Sequence, residues 1–126
     1  MIQTSSPKLT DSEIIYMSCN STVTNARLFI DKNYTDHDLS LGTVADAVGL
    51  SPAYLSALFK RETGSNLSEY ITFVRIEHSK ELLGRTRKLF YEVADSVGFR
   101  DYRYFSQIFK RHTGMTPRQY QSFART

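Results

Sequence analysis

The chain contains the same short sequence unit twice. The stretch Val44–Gly49 returns as Val93–Gly98, and the stretch Phe59–Gly64 returns as Phe109–Gly114. The first stretch repeats at an offset of 49 residues and the second at 50, so the second copy has one additional residue between its two stretches. Two copies are too few for a solenoid, which needs three or more stacked repeats. The repeat therefore predicts two matched helical modules.

Each copy has the pattern of a helix-turn-helix. In the first copy Ser40 is a candidate N-cap, and apolar residues follow at helical spacing up to Gly49, where a left-handed residue can end a helix. Ser51 and Pro52 are suited to cap and begin a second helix, which Thr63–Gly64 ends. A short helix, a tight turn and a second helix is the arrangement that can place its second helix in a DNA major groove.

The second copy repeats this order and adds one more helix. Gly98 is expected to end its first helix, Asp101 to cap its second helix and Gly114 to end it. Thr116 and Pro117 then predict the cap and the first residue of a final helix. A purely structural duplicated hairpin is the alternative interpretation, and the polar residues on the two second helices argue against it.

A long helix is predicted between the two copies. Asn66 and Glu69 have the spacing of a capping box. A broad apolar surface follows them: Leu67, Tyr70, Ile71, Val74, Ile76, Ser79, Leu82 and Leu83. At 1.5 Å per residue such a helix is about 27 Å long, and a stretch poor in Gly and Ser is not a flexible linker. We expect it to hold the two copies at a fixed distance.

These elements predict an all-α fold of about seven helices, in which two helix-turn-helix subdomains are joined by the linker helix. We expect residues 21–65 to form the first subdomain, residues 66–83 the linker helix and residues 84–126 the second subdomain. Residues 1–20 are polar and are expected to form a flexible tail or the stub of a linker. For Ile14, Ile15 and Met17 the alternatives are packing on the domain and the stub of a longer helix that leads to a sensor or receiver region. A scaffold helix beginning near Val23 is expected to pack on the first subdomain.

The second copy and the linker resemble a known family. The second copy has the sequence Gly98-Phe99-x-Asp101-x-x-Tyr104-Phe105-Ser106-x-x-Phe109-Lys110-Arg111-x-x-Gly114-x-Thr116-Pro117-x-x-Tyr120. This pattern resembles the signature of the AraC/XylS family of bacterial transcription regulators. In the first copy, Tyr54-Leu55-Ser56-x-Leu58-Phe59-Lys60 most resembles the output domains of response regulators of this family. Arg75-Ile76-x-x-Ser79-x-x-Leu82-Leu83 resembles the family's linker helix. The resemblance implies sequence-specific binding of double-stranded DNA, with RNA polymerase and a sensor or receiver domain as further partners.

The resemblance also assigns the residues that would contact DNA bases. By motif these positions are Ala53, Ser56 and Ala57 in the first copy and Tyr102, Arg103, Ser106 and Gln107 in the second. Arginine can bind guanine and glutamine can bind adenine, whereas alanine can only contact a thymine methyl group. The second recognition helix is therefore better equipped to discriminate sequence. The chain departs from the family at Ala57, where arginine is usual, and at Gln121, where arginine usually follows the tyrosine.

Other polar residues of the two recognition helices suit phosphate contacts, which position a protein on the duplex. They are Ser51, Lys60, Arg61, Arg100, Lys110 and Arg111. A solvated helix end is the alternative for each Lys-Arg pair, but both copies have the pair at the same place. We expect Tyr54 and Tyr104 to pack beneath the turn rather than face DNA.

The charge is unevenly distributed along the chain. Residues 85–126 contain nine Lys or Arg and three acidic residues, a net charge of +6, whereas residues 1–84 contain seven basic and ten acidic residues, a net charge of −3. The sum is the +3 of the whole chain. A basic C-terminal part is typical of an anionic partner such as DNA.

The sequence argues against several other classes of protein. Cys19 is the single cysteine and the three histidines share no ligand spacing, so we expect no disulfide, no metal and no cofactor. Without a phosphate-binding loop or a paired-carboxylate site we expect no enzyme. No signal peptide or membrane-spanning run is present, which predicts a cytoplasmic location. A protein-interaction module that has kept the fold and lost DNA binding is the competing function.

Overall fold

In the computed structural model, residues 11–125 are described, with side chains from residue 21 onward. This part of the chain contains seven helices: α1 (Asp11–Asn33), α2 (Leu41–Val48), α3 (Pro52–Thr63), α4 (Leu67–Arg85), α5 (Phe90–Ser96), α6 (Tyr102–Thr113) and α7 (Pro117–Ala124). No strand occurs between residues 11 and 125. The predicted all-α fold is therefore confirmed.

The first helix differs from its prediction. It begins at Asp11, so the boundary expected between residues 20 and 21 falls inside α1, and residues 11–20 are helical, which agrees with the alternative of a longer helix and not with a flexible tail. Residues 1–10 lie outside the described part of the chain. The physical reason is that residues 11–33 contain neither glycine nor proline, and polar side chains alone do not end a helix.

The helix starts follow the local signals in the sequence. The Ser51 hydroxyl accepts a hydrogen bond from the Tyr54 backbone N–H at 3.2 Å and so caps α3. The Asp101 carboxylate accepts one from the Arg103 backbone N–H at 2.8 Å and caps α6. Each cap satisfies a backbone donor that has no partner within the helix. The N-caps predicted for these two helices are confirmed.

The two recognition helices, α3 and α6, end in the same way. The Thr63 hydroxyl oxygen lies 2.7 Å from the Phe59 carbonyl oxygen, and the Thr113 hydroxyl oxygen lies 2.8 Å from the Phe109 carbonyl oxygen. A left-handed glycine follows each threonine. The sequence repeat is therefore also a repeat of local structure, and both helices present their last turns in the same geometry.

The linker helix α4 divides its buried side chains between two separate cores. The first core comprises Val23, Ala26, Ile30, Leu39, Val44, Ala45, Leu55, Leu58, Phe59, Leu67, Ile71 and Val74. The second comprises Ile76, Leu83, Val93, Ala94, Val97, Phe99, Phe105, Ile108 and Phe109. We call the elements around the first core the first unit and those around the second core the second unit. The N-terminal half of α4 belongs to the first unit and its C-terminal half to the second.

Candidate nucleic-acid interface

The two recognition helices present the same pattern of exposed side chains. Residues 51–60 and 101–110 have the same order of exposed, half-buried and buried positions, residue by residue. The buried positions are Leu55, Leu58 and Phe59 on α3 and Phe105, Ile108 and Phe109 on α6. Because each helix is anchored by the same three positions, the remaining face of each is available to a partner in the same way.

The residues predicted to contact bases lie on these outward faces. Ala53, Ala57, Tyr102, Arg103 and Gln107 are exposed, and the remaining two, Ser56 and Ser106, are half-buried. Residues three or four apart on a helix share a face. Each helix therefore presents one compact face whose side chains are small on α3 and long and polar on α6.

Tyr102 has neighbours that the sequence did not indicate. Its ring centroid lies 5.6 Å from that of Phe90 and 6.5 Å from that of Tyr91, both at the start of α5. The side chain remains 43% exposed. These contacts restrain the Tyr102 ring against α5, so its side chain has fewer orientations available than a fully exposed residue of α6.

The expectation that Tyr54 and Tyr104 pack beneath the turn is wrong. They are 51% and 50% exposed, and the Tyr104 ring touches the core only at its margin, 6.2 Å from the Phe99 ring centroid. Consecutive helical residues point about 100° apart at 3.6 residues per turn. Because the next residue on each helix occupies the centre of the buried face, the tyrosine is turned to its edge. The exposed face of each recognition helix thus includes a tyrosine.

The basic pairs expected to contact phosphates lie in the last turns of α3 and α6. Lys60, Arg61, Lys110 and Arg111 are all exposed. The Arg61 Nε lies 3.5 Å from a Glu62 carboxylate oxygen, an exposed contact of little energetic consequence. Within residues 21–125 the other three form no ion pair. Their charges are therefore open to a polyanion, as well as favourable for the negative end of the helix dipole.

Arg100 differs from the other predicted phosphate contacts. Its guanidinium forms an ion pair with Asp38, which lies in the loop between α1 and α2. The two residues belong to different units and are 62 positions apart in the chain. A phosphate contact by Arg100 would have to compete with this pair, so its geometry favours a contact between units.

The basic charge of the second unit lies on its surface. All nine Lys and Arg residues of the stretch 85–125 are exposed. Only Arg85 and Arg100 among them form ion pairs within the described part of the chain, with Glu81 and Asp38. The surface of the second unit therefore has an excess of positive charge that can attract a polyanion.

No helix between residues 11 and 125 combines the length and apolar character needed to cross a membrane. Among the side chains described, those of residues 21–125, no three His, Cys, Asp or Glu are grouped as metal ligands would be. The candidate interface consists of the exposed faces of α3 and α6 and the basic residues in their last turns.

Comparison with known proteins identifies the same elements. Residues 44–122 match the model of a family described as a helix-turn-helix domain. The chain is 40% identical over 102 residues to an uncharacterized HTH-type transcriptional regulator in the cgkA 5' region of Pseudoalteromonas carrageenovora, a match covering 81% of this chain and 60% of that protein. It is 42% identical over 87 residues to the uncharacterized transcriptional regulatory protein YesN of Bacillus subtilis, covering 67% of this chain and 24% of that protein.

A solved structure has the same fold. The C-terminal domain of AraT, a response regulator from Geobacillus stearothermophilus, superposes with a TM-score of 0.78 at 37% sequence identity, covering 81% of this chain and 84% of that chain. The chain thus spans most of an isolated domain but less than two thirds of the longer regulators.

Proposed function

The chain belongs to the AraC/XylS family of bacterial helix-turn-helix transcription regulators, as a DNA-binding output domain, and we propose that one copy of it binds a bipartite, non-palindromic DNA site. In this proposal α3 and α6 enter successive major grooves on one face of the duplex, about 34 Å apart. If the two helices lie closer together than successive major grooves, the duplex bends to accept both, at a cost of a few kcal/mol.

The observation that supports this proposal is the matched exposure of α3 and α6. Two helices with the same buried positions and the same outward positions, held by one continuous helix α4, can contact two segments of a single duplex. A palindromic site is the counterpart of a two-fold symmetric dimer, and tandem units within one chain do not require one. The exposed basic pairs at the ends of both helices would contact the flanking phosphates.

The two helices should contribute unequally to specificity. On α6 the outward face has Arg103 and Gln107, which can form paired hydrogen bonds to guanine and adenine. At the matching places α3 has Ala53 and Ala57. We therefore assign most of the sequence discrimination to the second unit, which is also the more basic one. Replacing Ala57 with Arg should then create a preference, towards guanine, in the half-site bound by α3.

A binding selection over randomised duplexes tests the proposal. The wild-type protein should select a motif with two half-sites, one of high and one of low information content, and should protect two groove segments from cleavage. Ala57→Arg should raise the information content of the weaker half-site only. Equal information in the two wild-type half-sites would contradict the unequal roles. Protection of a single groove segment, or a strict requirement for a dimer, would contradict bipartite binding by one chain.

The remaining partners are proposed from the family alone. A receiver or sensor domain would control this output domain in the whole protein, and RNA polymerase would be its partner at a promoter. A cytoplasmic location is supported by the DNA partner. These statements concern a whole regulator. The two relatives named above are longer than this chain, which covers 60% and 24% of their lengths.

A further inference from the structure

The loop after α1 joins the two units directly, apart from the linker helix. Tyr34, at the start of this loop, packs against both cores. Its ring also stacks on that of His78 in α4, with 4.0 Å between ring centroids and 9° between the planes. A residue shared by two otherwise separate cores restrains one core relative to the other.

Arg75, in the middle of α4, is bound to the same loop. Its Nε donates a hydrogen bond to the Tyr34 carbonyl oxygen at 2.9 Å, and its Nη2 donates one to the Asp36 carbonyl oxygen at 2.8 Å. Its Cζ lies 5.7 Å from the ring centroid of Phe99 in the second unit. The side chain is half-buried, and burial lowers the pKa of Arg75 while leaving it charged. One guanidinium thus contacts the loop of the first unit and the turn of the second.

The turn between α5 and α6 approaches this arginine closely. Gly98 has a φ of 106°, and a Cβ atom there would lie 2.2 Å from the Tyr34 carbonyl oxygen and 2.6 Å from the Arg75 Nε. Only glycine, which has no Cβ, permits the backbone at Gly98 to lie so close to the backbone at Tyr34. We call the group Tyr34, Asp36, Arg75, Gly98 and Phe99 the inter-unit junction.

Two exposed polar contacts flank the inter-unit junction. Arg100 pairs with Asp38, and the His37 Nε2 lies 3.1 Å from an Asp95 carboxylate oxygen. Exposed pairs contribute little energy individually. Both nevertheless join the loop after α1 to the second unit, so the same two segments are connected at three places.

We propose that the inter-unit junction sets the half-site spacing that the protein accepts, with Arg75 as its positioning residue. The linker helix packs into both cores and sets the approximate distance and rotation of the two units. A single helix can still bend, and either unit can shift on it, unless a second connection between the units resists these changes. The junction is that connection. The proposal rests on the bipartite mode of binding proposed above.

The geometry of DNA makes this rotation a determinant of specificity. One base pair added between half-sites moves the second groove along the axis and rotates it by about 34° to 36°, since a turn contains 10 to 10.5 base pairs. A rigid pair of recognition helices cannot follow that rotation, whereas a loosened pair can. The junction therefore decides how strictly spacing is discriminated, without touching a base.

The first test measures the relative position of the units without DNA. Spin labels are placed at Asp46→Cys on α2 and Arg118→Cys on α7, both exposed positions, in a Cys19→Ser background. Arg75→Met keeps an unbranched side chain out to the position of the arginine Nε and removes the guanidinium with all of its donors. We expect a broader distribution of label distances than in the parent protein. Arg85→Met, an exposed arginine of the same helix, is the matched control and should leave the distribution unchanged.

The second test measures binding to a series of duplexes with one base pair removed or added between the half-sites. We expect the parent protein to lose about tenfold or more in affinity when one base pair is removed or added, because one helix then loses its phosphate contacts together with its base contacts. In Arg75→Met the affinity for the best spacing should fall several-fold and the penalty should shrink to about two- or threefold. Arg75→Lys, which keeps the charge and part of the donor set, should restore part of the penalty.

The outcomes separate the junction from the mode of binding. A label distribution and a spacing penalty that Arg75→Met leaves unchanged would overturn the role of the junction. If the affinity of the parent protein did not depend on the half-site spacing, bipartite binding would be contradicted. The spin-label distances, which are measured without DNA, would still test whether the junction fixes the two units. Should Arg75→Met fail to fold, Asp38→Asn removes only the exposed ion pair with Arg100. Asp38→Asn should broaden the distribution of label distances and reduce the spacing penalty, both by less than Arg75→Met. If Asp38→Asn changed neither quantity, the proposal would be contradicted.

Discussion

Replacing Gly98 with alanine should destabilise the protein far more than the same change at Gly49. The two glycines occupy equivalent places in the repeat, after α5 and after α2, and both have positive φ angles, 106° and 77°. A Cβ at Gly49 would have nothing within 4 Å, whereas one at Gly98 would overlap a backbone oxygen and a guanidinium nitrogen. Comparing Gly98→Ala with Gly49→Ala therefore separates two costs. Both variants have the strain of a positive φ, and only Gly98→Ala also has the steric overlap.

The expected magnitudes follow from these two contributions. An alanine in a left-handed conformation costs about 1–2 kcal/mol, and this is the whole expected loss for Gly49→Ala. Overpacking against a fixed neighbour costs a further 1–3 kcal/mol or so, and the Tyr34 carbonyl cannot move without disturbing its bond to Arg75. We therefore expect Gly98→Ala to lower the free energy of unfolding by about 2–5 kcal/mol.

Urea unfolding followed by circular dichroism measures both variants against the wild type. The free energy and the slope of each transition should be fitted together, because two cores in one chain could unfold separately and change the slope. Equal losses for the two variants would refute the reasoning, since strain alone would then explain both. A Gly98→Ala protein that retains the wild-type spacing penalty would show that the close approach matters for stability only.

Three further predictions concern the recognition helices. Replacing both Lys110 and Arg111 with Ala should weaken binding to all sequences similarly and lower the salt dependence of log K by roughly one to two units; a changed sequence preference with an unchanged slope in a salt titration would contradict it. Arg103→Ala should relax discrimination at one base pair by about 1–3 kcal/mol, as measured by competition between matched and substituted duplexes. Tyr54→Ala should cost at most about 1 kcal/mol of stability, whereas Leu55→Ala should cost about 2–5 kcal/mol in the same urea assay.

The helix boundaries were predictable because their signals are local. Ser51 followed by Pro52, and Thr63 followed by a glycine, specify where α3 begins and ends through caps and backbone preferences within a few residues. The start of α1 at Asp11 was missed although the sequence has signals for it. Thr10 and Glu13 have the spacing of a capping box, and Ile15 precedes the apolar residues of α1 at helical spacing. The boundary at residue 20 was placed on polarity alone, which does not end a helix.

The contacts between units had no comparable signal. Asp38 and Arg100 lie 62 positions apart, and nothing in the sequence around either residue specifies the other as its partner. Arg75 and the Tyr34 carbonyl oxygen are 41 positions apart, and a backbone acceptor has no residue identity to recognise. The faces of α3 and α6 could be assigned from periodicity and resemblance, whereas the arrangement that brings them together required the tertiary structure.

The one length difference between the two copies falls where the units meet. Between the left-handed glycine and the next N-cap, the first copy has a single residue, Leu50, and the second has Phe99 and Arg100. Phe99 is buried under the Arg75 guanidinium, and Arg100 pairs with Asp38. The additional residue thus gives the second turn both an apolar anchor and a charged contact to the other unit. The two copies differ in length at this turn, and its residues connect the second unit to the first. The recognition helices, in contrast, have the same pattern of exposed positions in both copies.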